Sequence, residues 1–188
     1  MRKLTAFIFT TLNGFYKGEN EDISWHRYGE EESKYSEKML EQNNTLLFGR
    51  KTYENMVAFW PAPMAKEYFP KVAKRMNSAE KLVFSNSLEK ANWENTKVIS
   101  GDIVSEVKSL KHLKGNDLTI LGSGTIIDLF TNHQLIDEYQ IMIDPVAIQK
   151  GTSIFTKINE TVSLKLNHLE TFSSGVVLLY YSPVFKRD

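Results

Sequence analysis

The chain has 188 residues, 41% of them apolar and 24% charged, which is the composition of one soluble globular domain spanning 1–188. Lys plus Arg and Asp plus Glu both number 23, so no net charge pulls the chain toward nucleic acid or an anionic membrane. There is no cysteine, which excludes disulfides, thiolate metal sites and cysteine nucleophiles and suits a reducing, cytoplasmic compartment.

The N-terminal apolar run from Leu4 to Leu12 lacks a small-residue cleavage site and is too short to span a bilayer. Its β-branched and aromatic residues from Leu4 to Thr10 predict a buried strand, ended by the turn signal Asn13-Gly14. Glu30 to Gln42 reads as an amphipathic helix, with Tyr35, Met39 and Leu40 at helical spacing. Thr45–Gly49 is a short strand leading into a helix from Lys51 to Phe59. A second helix is expected from Pro63 to Met76, although Pro70 lies inside it. Strands follow at Lys81–Ser85 and Thr96–Ser100, then a helix capped by Asp102 and a strand at Asp117–Leu121. A helix over Thr125–Phe130 and a strand over Asp137–Ile143 continue the alternation. The run Ser163–Phe172, a Ser173-Ser174-Gly175 turn and Val176–Tyr181 read as a β-hairpin. Strands alternating with helices imply an α/β, three-layer domain with a mainly parallel central sheet and a C-terminal antiparallel β-hairpin.

In such a sheet, ligands gather beyond the carboxyl ends of the strands, where helix N-termini offer free N–H groups. Three turns stand out there. Gly122-Ser123-Gly124-Thr125 joins a strand directly to a helix, and its glycines allow backbone to approach a phosphate. It is neither a dinucleotide fingerprint, because Ile127 replaces the third glycine, nor a P-loop, because no Lys-Ser/Thr pair follows. A tight turn requiring φ > 0 is the alternative reading. Gly49-Arg50-Lys51-Thr52 places two cations at a helix start, which the macrodipole disfavours unless an anion is present; solvated surface charges are the alternative. Ser85 and Asn86 end a third strand and either donate to a phosphate or close a turn. Together the three describe one crevice for a polyanionic nucleotide. The four histidines show no metal-ligand spacing, so no metal site is expected.

The segments LTAFIFTTLNGFYKG, LLFGRKTYENM, KLVFSNSL, LTILGSGTIIDLF and IDEYQIMIDPVAIQKGTSIF follow the order of the dihydrofolate reductase-like superfamily. The sequence resembles most its branch containing the C-terminal reductase domain of riboflavin biosynthesis. The resemblance implies an NADPH-dependent oxidoreductase that transfers hydride to a small heterocycle of the pterin, folate or aminopyrimidine class. It implies that Gly122, Ser123, Gly124 and Thr125 hold the pyrophosphate, and that Gly49, Arg50, Lys51, Thr52, Ser85 and Asn86 surround the adenosine 2′-phosphate end. Thr11, Asn13 and Gly14 would lie beside nicotinamide and substrate, with Asn13 standing where this branch usually carries aspartate. A homodimer is also implied.

Authentic dihydrofolate reductases grip the pterin with a carboxylate on the helix after the first strand. Among Glu30, Glu31 and Glu32, Glu31 is the candidate acid, four residues before Tyr35 on the apolar side. Glutamates that merely complement the helix dipole are the alternative. Trp25, beside His26 in the substrate loop, and Trp60, flanked by Phe59 and Pro61, are candidate substrate contacts. From another class, the rival is a non-catalytic nucleotide-binding or regulatory module on the same fold.

Overall fold

In a computed structural model, which describes residues 1–185, eight strands form one sheet in the order β5-β4-β3-β6-β1-β7-β10-β9. The strands are β1 Leu4–Thr11, β3 Thr45–Gly49, β4 Lys81–Phe84, β5 Thr96–Ile99, β6 Leu118–Leu121, β7 Glu138–Asp144, β9 Ser163–Thr171 and β10 Val177–Val184. All pairs from β5 through β7 are parallel, and β10 runs antiparallel to both β7 and β9. The expected mainly parallel sheet with a terminal hairpin is therefore what the chain forms.

Two cores lie on the two faces of this sheet, and the alternation of strand side chains assigns residues to each. Leu4, Ala6 and Ile8 of β1 point to one core with Ile127 and Phe130 of α6 (Gly124–Asn132) and Val107 of α5 (Ile103–His112). Phe7 points to the other, with Tyr35 and Leu40 of α1 (Glu30–Glu41) and Tyr53 of α2 (Arg50–Phe59). Val72 and Met76 of a further helix complete that second layer. Three layers result, with β1 buried at the centre.

Two features depart from the sequence reading. The helix expected over Pro63–Met76 is two helices, α3 Pro63–Tyr68 and α4 Pro70–Ser78, broken at Phe69 with φ −133° and ψ 55°. Pro70 has no N–H to continue the first helix and pushes the preceding residue out of the α region. A separate two-stranded sheet pairs β2 (Phe15–Gly18) with β8 (Gly151–Ser153). Strands of four and three residues carry too little periodicity to read, and their pairing spans most of the chain. No helix among the described residues is long and apolar enough to cross a membrane.

Candidate active site

The C-terminal ends of β1, β3, β4 and β6 all emerge at one edge of the parallel sheet, so the three sequence-derived turns become neighbours. Gly122 has φ 61° and Ser123 has φ 58°, so two consecutive residues sit in the left-handed region where β6 turns into α6. The Gly122 N–H is held by the Phe7 carbonyl at 2.9 Å, which ties the turn to β1. Ser123 then joins two helix starts. Its hydroxyl accepts the Gly49 N–H at 3.0 Å and donates to Thr52 Oγ1 at 2.8 Å. The N-termini of α2 and α6 thus meet at one point, and both dipoles direct positive potential there. That junction suits an anion.

Beside it opens a cavity of ≈ 180 Å³. Thr52, Gly122 and Ser123 line it together with Phe7 and Phe9 of β1. Its far wall is apolar, built by Met39 and Leu40 of α1, Met56 of α2, Trp60, and Val72 and Met76 of α4. Trp60, expected as a substrate contact, is among the residues that line this cavity. Helical spacing sets Met39 on the apolar face of its helix and does not single out Met56 or Met76, and nothing local in the sequence marks any of the three as a cavity wall.

The cations around the junction are engaged. Arg50 pairs with Glu54 at 2.7 Å, one turn along α2. Lys51 meets Glu21 at 3.2 Å, and Lys17 meets the same carboxylate at 2.7 Å. The hydrogen bond from Lys17, then that from Lys51, holds the Glu21 carboxyl below its usual range. These groups carry Glu21 as a counterion where the nucleotide reading needs phosphate.

Tyr16 of β2 also lines the cavity, and its ring lies directly against Gly124. A Cβ placed on Gly124 would stand 2.5 Å from the ring. Burial, followed by the charge of Glu21, raises the pKa of the Tyr16 hydroxyl. Neither composition nor motif flagged this tyrosine; its place inside the resembling segment LTAFIFTTLNGFYKG was the available signal.

Several expected residues are not brought to the cavity. The exposed Glu31 carboxylate accepts the Ser173 N–H at 2.7 Å, on the hairpin turn rather than in the cleft. The neighbouring Glu32 is the buried one, accepting the Gly29 N–H at 2.9 Å and the Ser174 hydroxyl. Helical neighbours point about 100° apart, and α1 turns Ser36, Met39 and Leu40 to the cavity instead. Trp25 donates its Nε1–H to the Asp22 carbonyl at 3.2 Å, and its loop reaches the cavity through Ile23 and Tyr28. Asn13 is exposed, accepting from Thr11 Oγ1 and donating to the Ile148 carbonyl at 2.9 Å; Gly14 supplies the adjoining turn with φ 84°. Ser85 Oγ accepts the N–H groups of Ser87 and Leu88, and Asn86 accepts that of Gly101, so both side chains close turns in this structure. Thr125 is exposed at the start of α6.

His26, which sequence reading left between surface and substrate, is neither free nor exposed. Its ring stacks on Phe9 at 4.0 Å, and Nδ1 lies 2.8 Å from the fully buried carboxylate of Asp144. Asp144 also accepts the Arg27 N–H at 2.7 Å, so the end of β7 fixes the loop over the Phe9 side of the cleft. Among the described residues, no group of three metal-ligating side chains gathers.

The sequence matches the family profile of the RibD C-terminal domain over residues 2–178. The chain belongs to the RibD C-terminal domain family. YyaP of Bacillus subtilis strain 168, named an uncharacterized protein, is 29% identical over 180 residues, covering 96% of this chain and 94% of that one. A Thermotoga maritima protein is described as a diaminohydroxyphosphoribosylaminopyrimidine deaminase and 5-amino-6-(5-phosphoribosylamino)uracil reductase. It superposes with a TM-score of 0.67 at 17% identity, over 97% of this chain and 57% of that one. Enterococcus faecalis dihydrofolate reductase, solved in complex with NADP(H), gives a TM-score of 0.63 at 17% identity, over 96% of each chain. These likenesses place this RibD C-terminal domain on the dihydrofolate reductase-like fold.

Proposed function

We propose that this RibD C-terminal domain protein is an NADPH-dependent reductase of a small heterocyclic substrate, of the pterin, folate or aminopyrimidine class. One observation carries the reading: Ser123 joins the N-termini of α2 and α6 beside an apolar slot. The residues present fit the cofactor. Gly122 and Ser123 form a left-handed turn at the start of α6, and the Tyr16 ring covers Gly124, so the pyrophosphate would take the place of that ring. Gly122 to Thr125 would hold the pyrophosphate, while Gly49, Arg50, Lys51 and Thr52, with the Ser85–Asn86 turn alongside, would face the 2′-phosphate end. Bound NADPH supplies a hydride; the protein supplies orientation and exclusion of water. Thr11, the last residue of β1, and Gly14, in the turn after it, would lie beside the nicotinamide.

The test is calorimetric titration with NADPH and NADH, followed by loss of NADPH absorbance over a panel of neutral and charged heterocycles. NADPH binding with substrate-dependent oxidation supports the reading; no binding of either cofactor rejects it. The commitment of Glu31 and Glu32 to the hairpin turn favours the second reading, a nucleotide-binding module without turnover. Cofactor binding with no oxidation across the panel would decide for it. A homodimer and a cytoplasmic location belong to the same proposal, tested by sedimentation and by cell fractionation.

A further inference from the structure

We propose that the cleft selects a flat, uncharged aromatic substrate bearing neither a cationic edge nor a phosphate. The inference rests on the reductase reading and narrows its substrate class.

The walls are set by Phe7, Phe9, Met39, Met56, Trp60 and Met76. Aromatic faces and thioethers favour a planar ring, and methionine adapts its shape to fill the remaining gaps. The cavity of ≈ 180 Å³ is a little larger than the roughly 150 Å³ apolar cavity known to hold benzene. One ring or two fused rings fit.

The charged groups at this wall are already paired. Lys17 and Glu21 lie 2.7 Å apart, and Lys51 adds a second cation to the same carboxylate at 3.2 Å. Each acidic side chain at the start of α1 has a partner elsewhere: Glu30 has Lys34, Glu31 has Ser173, and Glu32 has Gly29 and Ser174. A cationic ring edge entering the slot would lose hydration and meet Ser36, Met39 and a single carboxylate, Glu21, that two lysines already hold. A phosphate on the substrate would have to take Lys17 from Glu21. Asn55 lines the same cleft and presents a neutral amide with both donor and acceptor, which complements an adjacent carbonyl and N–H on a ring.

The test is calorimetry on the intact protein, with and without NADPH, using two bicycles of one shape. Quinazolin-4-one is uncharged with a carbonyl/N–H edge, and 2,4-diaminoquinazoline in mildly acidic buffer is cationic. Uridine 5′-monophosphate is the phosphate-bearing probe. Quinazolin-4-one is expected to bind about ten-fold or more tighter than either. Ser36→Glu, or Met39→Glu if the first does not fold, should reverse the order of the bicycles and leave NADPH affinity unchanged. Tighter binding of the cation or the monophosphate, or no binding of all three, overturns the inference. Quinazolin-4-one binding without NADPH binding supports the inference and rejects the reductase reading. NADPH binding without discrimination among the probes overturns the inference alone.

Discussion

The ring of Tyr16 reserves the space above Gly124: a Cβ there would lie 2.5 Å from one ring carbon and 2.7 Å from the next. Glycine is required at this helix start by the neighbour, not by backbone conformation, since positive φ occurs at Gly122 and Ser123 instead. Gly124→Ala should destabilise the fold by about 1–3 kcal/mol, the range for overpacking a tight contact. Adding Tyr16→Ala should recover part of that loss, with a coupling of at least about 0.5 kcal/mol in denaturant melts. Strictly additive effects would show that the ring yields without cost.

The same ring lies over the turn assigned to the pyrophosphate, so cofactor entry must displace it. Tyr16→Ala should tighten NADPH binding several-fold in titration calorimetry, while Tyr16→Phe, which keeps the ring, should leave it unchanged. Weaker binding in Tyr16→Ala would mean that the ring supports the cofactor rather than competing with it.

On the proposed reading, Arg50 and Lys51 should favour NADPH over NADH. A charge-assisted contact is worth about 1.5–3 kcal/mol, so Arg50→Ala should weaken NADPH by about ten-fold or more and hardly affect NADH. Because Glu54 holds Arg50 at 2.7 Å, Glu54→Gln should tighten NADPH. Equal affinity of the unmutated protein for both cofactors would remove the 2′-phosphate assignment.

The two adjacent glutamates of α1 should separate cleanly. Glu32 is buried against the hairpin turn, and Glu32→Ala leaves the Ser174 hydroxyl and Gly29 N–H without their acceptor. A loss of about 2 kcal/mol is expected in urea melts. Glu31→Gln, at an exposed site, should cost less than about 1 kcal/mol and leave any turnover unchanged. A fall in turnover with unchanged stability would return Glu31 to the reaction.

Asp128 on α6 is buried, and its Oδ1 has no hydrogen-bond partner among the described residues. Burial raises its carboxyl pKa, against the opposing N–H groups of Lys157 and Phe155. The folded state therefore holds this proton more tightly than the unfolded chain. Its contribution is full below the unfolded value and is lost as pH rises through the raised folded value. Asp128→Asn should gain about 1 kcal/mol at neutral pH and nothing in strong acid, as read from melts across that range. A gain of equal size at both ends would assign the effect to packing.

Strand and helix periodicity, with glycine at strand ends, made most of the fold legible, because one buried face per element imposes a local pattern. The Gly122 and Gly49 turns were readable for the same reason, as composition changes at strand ends. Tyr16 was not, because its contact with Gly124 depends on the short β2–β8 pairing. The His26–Asp144 pair joins residues 118 positions apart, although Asp144 at the end of β7 occupies the rim where sheets place functional groups. The choice between Glu31 and Glu32 turned on one step of helix rotation. That step is fixed by the hairpin turn, which no local reading of α1 contains.

The central position of β1 has a consequence for synthesis. Its eight mostly apolar residues emerge well before both neighbours, since β6 and β7 begin only at Leu118 and Glu138. At roughly 5–20 residues per second, the nascent strand waits on the order of 10 s before either partner exists. During that interval an apolar strand with two open edges is available to other chains. The yield of native protein should therefore respond to translation rate and to holdase chaperones more than its final stability would suggest.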